Sequence, residues 1–346
     1  MGISPSFINE MTPDKMTGQV GTLIQQAGNT AFITSYILGL SMPISDLESN
    51  PYNYLWMVMI IFPSILCLYQ IYFLTKVFPY ESPAWLLANS FHDKALETFS
   101  YVYYPEYSYK GIERLIPPET FSDNDRLINV YNSTYKDVLC KRKFRKMLRI
   151  SLVLNIGQQT SGSMMMRIYA TKIFEDIGGG KRFAQIFTVI AGAVSLTGSI
   201  STIFLLKKFG RKKLLIIGQI GMSLIFLSLA LLEDYTQFSP EVKAMFIFIY
   251  FGFLSISLGP TFWAYIGEVC NDKCIGIGFS LNLISVMILS FVYPIAQANL
   301  GVSFCFYGLS LMCFCLLIYE IIEIFETKGL SKQEIQLKVL LLSTNE

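Results

Sequence analysis

Residues 158–163 read Gln-Gln-Thr-Ser-Gly-Ser, and this polar stretch interrupts the first of several apolar runs that lie between 147 and 325. A helix needs about 20 residues to cross the hydrocarbon core of a bilayer, and each run is of about that length. An amide pair inside such a run is costly in hydrocarbon, so it should face a cavity or a partner rather than lipid. The stretch therefore predicts a polar pathway across a membrane.

Composition places the whole chain in the membrane class. Of its 346 residues, 53% are hydrophobic and only 15% are charged, which is too apolar for a soluble domain of this size. At about 20 residues per span, the sequence predicts an all-α integral membrane protein with about eight transmembrane helices. The runs cover residues 19–40, 55–78, 147–169, 184–206, 213–232, 243–266, 275–297 and 301–325.

Basic residues predict which loops face the cytosol, because Lys and Arg are retained on that side. They are concentrated in 79–146 and again in 207–213, so we expect both segments inside, together with the N-terminus and the C-terminal tail. Charged and apolar residues alternate around 92–101, which predicts a short amphipathic helix on the cytosolic face. The basic residues at 172, 181 and 182 would face outward and oppose this orientation.

Glycines interrupt several of the predicted spans. Gly162 and the pair Gly259-Pro260 lie beside polar or aromatic residues, which is typical of broken helices that expose backbone to a central site in transporters. Close packing between helices is the alternative, because small residues let neighbours approach. We favour packing for Gly192 and Gly198, and a site for the other two positions.

Several classes of function are excluded. The single histidine, His92, lies in a polar loop and no Asp or Glu lies near the centre of a run, so an enzyme has no acid, base or metal shell. The seven cysteines lack the C-x-x-C spacing of a zinc site. A net charge of +2 indicates no nucleic-acid partner, because the basic residues are accounted for by topology. We expect no cofactor and no metal.

The spans instead offer neutral hydrogen-bonding groups. Gln25, Gln158, Gln159 and Asn282 both donate and accept, as the paired hydroxyls of a sugar require, and Trp263 adds a flat apolar face with one N–H. Hydrogen bonding between helices is the alternative role of such residues. We favour that alternative for Asn282, and a binding site for the two adjacent glutamines.

Charges in the spans bear on energetics. Because proton or sodium coupling commonly uses an ionisable residue inside the membrane, and no Asp or Glu lies near the centre of a run, downhill transport is the simpler expectation. Glu268, Glu320 and Glu323 lie near cytosolic ends, where ion pairs with Arg211 or Lys208 could latch a closed state. Solvated interfacial charges are the alternative.

Five motifs in order resemble the signatures of the sugar porter family, the hexose-transporter branch of the major facilitator superfamily. They are Glu-Ser-Pro-Ala-Trp-Leu-Leu at 81–87, Gln-Gln-Thr-Ser-Gly at 158–162, Gly-Arg-Lys-Lys at 210–213, Gly-Pro-Thr-Phe-Trp at 259–263 with Glu268, and Glu-Thr-Lys-Gly at 326–329. Residues 10–18 are similar to the loop after family helix 4, and residues 21–25 to the start of helix 5.

The resemblance implies a partial major facilitator fold that begins at the end of helix 4. Residues 1–78 would be a remnant of the N-terminal half with helices 5 and 6, 79–146 an intracellular helical domain, 147–325 the C-terminal six-helix bundle, and 326–346 a cytosolic tail. The chain then looks N-terminally truncated, lacking helices 1 to 3 and most of helix 4. The missing N-terminal half, or a full-length relative, would be a partner.

The resemblance also assigns residues. Gln25, Gln158, Gln159 and Trp263 stand where similar proteins bind sugar, and Tyr169 where an aromatic residue closes the outer side. Glu10, Arg211 and Glu268 stand in the cytosolic charge cluster of the family. Several positions depart from the family pattern and bear on hexose specificity and on the cytosolic latch: Met164, Ser195, Val286, Met287, Thr17, Ile275 and Phe325.

Two functions follow as hypotheses. The first is facilitative transport of a hexose-like sugar by alternating access, impaired in this incomplete chain because two bundles must rock around a shared site. The second is a non-transporting sugar sensor or a regulatory partner of a full-length transporter. In both, the partners are a small-molecule sugar and the lipid bilayer, and we expect a multi-pass protein of the plasma membrane rather than an internal membrane.

Overall fold

Helices make up the described part of the chain. The computed structural model describes residues 7–8, 11–12, 16, 19–41, 54–102, 133–235, 239–330 and 332–344, and it places no β-strand among them. The all-α architecture is therefore confirmed for these residues. In chain order we label the helices α1 Leu23–Leu40, α2 Leu55–Tyr72, α3 Pro83–Ala88, α4 His92–Val102, α5 Tyr135–Cys140, α6 Arg145–Thr160, α7 Ser163–Ile168, α8 Ala170–Phe174, α9 Gly180–Phe209, α10 Arg211–Tyr235, α11 Pro240–Ile256, α12 Pro260–Val269, α13 Asp272–Leu300, α14 Val302–Glu323 and α15 Lys332–Thr344.

Six helical segments in the described ranges are long and apolar enough to cross a membrane. They correspond to six of the predicted runs: Trp56–Val77, Gly180–Phe209, Arg211–Tyr235, Pro240–Val269, Asp272–Leu300 and Val302–Glu323. The predicted runs 19–40 and 147–169 do not reach this standard. Helix α1, with 18 residues, is long enough but includes several amides and hydroxyls that lower its hydropathy, and the second run is divided among α6, α7 and α8.

The second half of the chain forms a packed bundle. Helix α10 packs against α14 and α11, α6 against α13, and α9 against α11. Helix α1 packs against α9, where a Cβ on Gly192 would meet Tyr36 Cδ2 at 3.0 Å. On the same helix α9, a Cβ on Gly198 would meet Ser255 Cβ of α11 at 2.9 Å. The packing role predicted for these two glycines is confirmed. Helix α2 contrasts with the bundle, because none of its apolar window is buried inside the structure.

Two helices break at the predicted glycines. Helix α6 ends at Thr160 and α7 begins at Ser163, with Gly162 between them at φ +81°, a left-handed conformation that favours glycine. Helix α11 ends at Ile256, and α12 begins at Pro260, which has no N–H to place in a helical hydrogen bond. The break frees backbone carbonyls, among them that of Leu258, for contacts with other helices.

Short helices lie between the first two long helices and the bundle. Helix α4, which matches the amphipathic helix predicted around 92–101, buries Ala95 and Phe99 against Leu86 and Met11.

Helix α15, at the C-terminal end, packs on α6 and α12, and it buries apolar side chains in the bundle core. Residues 103–132 lie outside the described ranges, so the boundaries 79–146 of an intracellular helical domain stay a prediction.

Candidate functional site

The two glutamines of α6 belong to a buried hydrogen-bond network. Gln158 and Gln159 are each 6% exposed, and Asn282 of α13 is 3% exposed. Asn282 Nδ2 donates to Gln158 Oε1 at 3.0 Å, and Gln159 Nε2 donates to Asn282 Oδ1 at 2.9 Å. Gln158 Nε2 also donates to the carbonyl of Leu258 at 2.7 Å. The network thus joins α6, α13 and the break before α12, and Asn282 has the helix-to-helix role predicted for it.

The local sequence explains why these amides point inward. A Cβ at Gly157 would meet Leu316 Cδ1 of α14 at 2.6 Å, so glycine lets the end of α6 lie close to its neighbour. The turn at Gly162 then redirects the chain, and Ser163 Oγ donates to Gln159 Oε1 at 3.2 Å. On the other side, a Cβ at Gly278 would meet Asn155 Nδ2 at 2.6 Å, which brings α13 close to α6.

Gln25 and Trp263 meet at the same break. Trp263 Nε1 donates to Gln25 Oε1 at 3.2 Å, and a Cβ on Gly259 would meet Gln25 Cγ at 3.3 Å. Gln25 Nε2 donates to Asn29 Oδ1 at 3.0 Å, and Asn29 Nδ2 donates to the carbonyl of Ser195 at 3.1 Å. The segment 258–263 is therefore contacted by α1 from one side and α6 from the other. The structure brings together the four residues predicted to bind sugar.

Tyr169 lies apart from that group. It stands between α7 and α8, its hydroxyl donates to the carbonyl of Ser290 at 2.8 Å, and its ring lies 5.4 Å from the ring of Tyr293. Both contacts join Tyr169 to α13 rather than to the amides. Its assignment as an outer closing residue stays a prediction.

Two polar residues of this region escaped the sequence analysis. Asn155 Nδ2 donates to the carbonyl of Ser151 at 2.8 Å, but its Oδ1 is buried without a hydrogen-bond partner, directly beside the Asn282 network. Arg167 is 7% exposed, and its Nη1 donates to the carbonyl of Ser163 at 3.0 Å. A signal was present in both cases, because Asn155 lies one helical turn before Gln158 and a charged residue is rare in an apolar run.

A charge cluster forms where α10 begins. Arg211 Nη2 lies 2.5 Å from Glu268 Oε1, and Thr327 Oγ1 donates to the second oxygen, Glu268 Oε2, at 2.7 Å. The Arg211 side chain is only 13% exposed and the Glu268 side chain 6%, so water screens the ion pair little. The predicted pairing of Arg211 with Glu268 is present. Glu10, the third residue predicted for this cluster, lies outside the described residues.

The Glu-Thr-Lys-Gly motif caps α10 and completes the cluster. Glu326 Oε1 accepts from the backbone N–H of Arg211 at 2.9 Å, and from those of Thr327 and Lys328 at 3.1 Å. A carboxylate at a helix N-terminus satisfies free N–H groups and interacts favourably with the helix dipole. Gly210 adopts φ +84°, and any side chain there would collide with this carboxylate. The motifs at 210–213 and 326–329 thus form one structural unit with Glu268.

The other two glutamates do not pair as predicted. Glu323 Oε2 lies 3.3 Å from Lys146 Nζ and 2.9 Å from Arg149 Nη2, so it ties α14 to α6 instead of to Arg211 or Lys208. Glu320 is fully buried, and neither of its carboxylate oxygens has a hydrogen-bond partner. Both the latch and the solvated-charge interpretation are therefore wrong for Glu320, because its helix face turns toward the bundle rather than the interface.

Proteins named as sugar transporters match nearly the whole chain in sequence. The glucose transporter GlcP of Staphylococcus epidermidis is 25% identical over 97% of this chain and 72% of its own length. The D-xylose transporter of Levilactobacillus brevis is 25% identical over 96% and 70%, respectively. Facilitated glucose transporter member 3 of mouse is 27% identical over 96% and 66%.

Solved structures share the fold. The proton:xylose symporter XylE, a major facilitator superfamily protein determined with bound 6-bromo-6-deoxy-D-glucose, superposes with a TM-score of 0.76 at 22% sequence identity. The match covers 96% of this chain and 69% of XylE. The family model described as "Sugar (and other) transporter" matches residues 1–338. This chain is an integral membrane protein that belongs to the sugar transporter family.

Proposed function

We propose that this chain serves the facilitative passage of a hexose-like sugar across the membrane by alternating access. One observation carries the proposal: Gln25, Gln158, Gln159 and Trp263, which come from distant parts of the sequence, converge on the helix break at 258–263. A broken helix whose backbone faces neutral amides and an indole is the kind of site that binds uncharged solutes in transporters. Several relatives are named as transporters of polyhydroxylated solutes, namely the sugars glucose and D-xylose and the cyclic polyol myo-inositol.

The chemistry of the site suits paired hydroxyl groups. Each amide offers two N–H donors and an acceptor oxygen, and a sugar hydroxyl can both donate and accept. Asn155 Oδ1 supplies a further buried acceptor that has no donor, and a hydroxyl group would satisfy it. Trp263, whose ring lies 5.0 Å from Phe262 and 5.9 Å from Phe279, provides an apolar wall for the C–H face of a sugar ring.

Sugar binding at this site exchanges hydrogen bonds rather than adding them. In the present arrangement, the glutamines bond to Asn282 and to the Leu258 carbonyl, so an incoming hydroxyl replaces those contacts. Such an exchange is nearly neutral in free energy, since each broken bond is replaced by another. It would also loosen α12 and α13 from α6 within the second half of the chain.

We further propose that the chain acts at the plasma membrane, and that transport by this chain alone is impaired unless a full-length relative or an N-terminal half supplies the facing bundle. The exposed apolar surface of α2 supports the membrane location, because such a surface needs lipid or a partner helix. The alternative of a non-transporting sensor draws no support from the relatives, whose names are those of transport proteins.

Uptake of labelled hexose in cells that lack their own hexose transporters tests the function. This chain would be compared with a version joined behind the first helices of a related transporter, and with Gln158→Ala in each background. We expect the joined version to transport and Gln158→Ala to reduce uptake by about tenfold or more, because a buried donor and acceptor are lost. Gln297→Ala is the matched control, because Gln297 is a half-buried glutamine near the C-terminal end of α13 whose side chain bonds to Asp176 and not to the amide site. Uptake that is unaffected by Gln158→Ala would refute the assignment of the site.

A further inference from the structure

Arg167 places a positive charge inside the bundle. It lies in α7, within the run 147–169, and only 7% of its surface is exposed. An arginine keeps its charge in essentially every protein environment. Removing such a charge from water is costly unless an anion or several hydrogen bonds compensate, and buried charged residues in membrane proteins often mark the path of a substrate or ion.

Among the described residues, no carboxylate pairs with the charge of Arg167. Nη1 donates to the carbonyl of Ser163, and the guanidinium carbon lies 5.3 Å from the centre of the Phe32 ring of α1. The second terminal nitrogen, Nη2, is buried without a hydrogen-bond partner. The ion pairs in the described ranges use other basic residues: Lys141, Lys146, Arg149, Arg211 and Lys243. An aromatic face offsets only part of a full charge.

The guanidinium lies next to the amide site. Its side chain reaches back one turn to the carbonyl of Ser163, and the hydroxyl of the same Ser163 donates to Gln159 Oε1 at 3.2 Å. One serine therefore contacts both the arginine and the glutamine amide. Two aromatic residues of α1 also contact Arg167: the Phe32 ring faces its guanidinium, and the Tyr36 hydroxyl donates to its backbone carbonyl at 2.9 Å. Arg167 and Gln159 are therefore linked through a single residue.

We propose that Arg167 binds the carboxylate of an acidic monosaccharide whose hydroxyl groups occupy the neighbouring amide site. This inference rests on the proposed function, because it names the class of sugar that the same site takes. A guanidinium presents parallel N–H donors that match the two oxygens of a carboxylate, and the free Nη2 is one of them. A neutral hexose satisfies the amides but leaves the buried charge uncompensated.

Equilibrium binding of labelled glucuronate to the purified full chain in detergent tests the inference. Unlabelled glucuronate, its neutral methyl ester, glucose, glucose 6-phosphate and acetate serve as competitors. We expect glucuronate to compete about thirtyfold more strongly than its methyl ester or glucose, the usual effect of removing one partner from a buried charge pair. Acetate should compete weakly, because it lacks the hydroxyl groups.

Variants at Arg167 test whether this residue causes the preference for glucuronate. Arg167→Gln should weaken glucuronate binding by about thirtyfold and leave glucose binding within about threefold, whereas Arg167→Lys should be intermediate because it keeps the charge and loses the fork. Arg182→Gln is the matched control, because it removes one arginine that bonds to the Leu40 carbonyl at the exposed end of α9. If Arg167→Gln does not fold, the comparison of glucuronate with its ester in the unmodified chain still decides.

The outcomes separate this inference from the proposed function. Binding of glucose without preference for glucuronate over its ester overturns the role of Arg167 and leaves the sugar site intact. Equal competition by acetate or by glucose 6-phosphate overturns the assignment to a sugar acid. Failure of every sugar to bind overturns the proposed function and this inference together. A preference for glucuronate that Arg167→Gln abolishes and Arg182→Gln preserves supports the inference.

Discussion

Asn282 is the hub of the buried network, and its replacement by alanine should destabilise the bundle by a calculable amount. The side chain makes three hydrogen bonds, to the Asn155 carbonyl at 3.0 Å, to Gln158 Oε1 at 3.0 Å and to Gln159 Nε2 at 2.9 Å. Side-chain hydrogen bonds between membrane helices contribute about 0.6 kcal/mol each on average. We therefore expect Asn282→Ala to lower the free energy of unfolding by about 2 kcal/mol.

The assay is reversible unfolding of the purified chain in mixed micelles, with helix content followed as denaturant is added. Asn299→Ala is the control, because Asn299 lies on the same helix, is exposed, and bonds only to the Ile295 carbonyl one turn earlier. The control should change the free energy of unfolding by less than about 0.5 kcal/mol. A loss below that value in Asn282→Ala would refute the conclusion that this network holds α6 and α13 together.

The sugar affinities of the same variants separate packing from binding. Asn282→Ala should change affinity by less than about tenfold, because the substitution frees both glutamines without removing them. Gln158→Ala should reduce affinity by more than that, although it breaks fewer helix contacts. If the order of the two effects on affinity is reversed, Asn282 is itself a sugar ligand, and its assignment to packing is wrong.

Three further changes test other parts of the structure. Glu268→Gln should destabilise the chain by about 3 kcal/mol, because it leaves Arg211 buried without a countercharge. The same substitution should raise the alkylation of buried Cys270, which is measured by mass spectrometry. Unchanged alkylation would show that the charge cluster does not protect the end of α12. Glu320→Leu should stabilise the chain by about 1 kcal/mol, measured in the same micelles, because it removes a buried carboxyl that has no partner; a destabilised variant would contradict this. Hydrogen bonds from the Lys141 side chain and from Thr134 lower the pKa of Asp137 to about 2, so their support of α5 should be present above the ordinary pKa of about 4 and lost as pH falls through 2. Titration of the Asp137 carbon resonance, identified with Asp137→Asn, checks this, and an ordinary pKa would contradict it.

Local chemistry explains which features could be predicted from the sequence. The breaks at Gly162 and at Gly259-Pro260 depend on a left-handed backbone and on a missing N–H, both of which are properties of the residues themselves. Helix α4 follows from the spacing of Ala95 and Phe99, which places both on one face. Such features need no knowledge of neighbouring helices.

The pairing of charges could not be predicted in the same way. The sequence indicates that Glu320 and Glu323 lie near one end of α14, but not which helix packs against each face. The structure turns Glu323 toward Lys146 and Arg149 of α6, and buries Glu320 three residues earlier without a partner. Three residues along a helix leave a net rotation of about 60° between two side chains, which is enough for neighbouring glutamates to face different helices. Rotation about the helix axis, which depends on the whole bundle, decides the partner.

The alternatives that the sequence left open for the glutamines are not exclusive. Gln158 and Gln159 hold α6 against α13 and against the break before α12, and the same N–H and carbonyl groups match a hydroxylated solute. A residue can serve both roles only if the two sets of hydrogen bonds are close in free energy, because a solute shifts a conformational equilibrium by no more than its differential affinity. Amides meet this condition better than charged groups, since exchange among neutral donors and acceptors leaves no charge stranded. We therefore expect sugar binding to compete with the hydrogen bonds that hold α6 against α13.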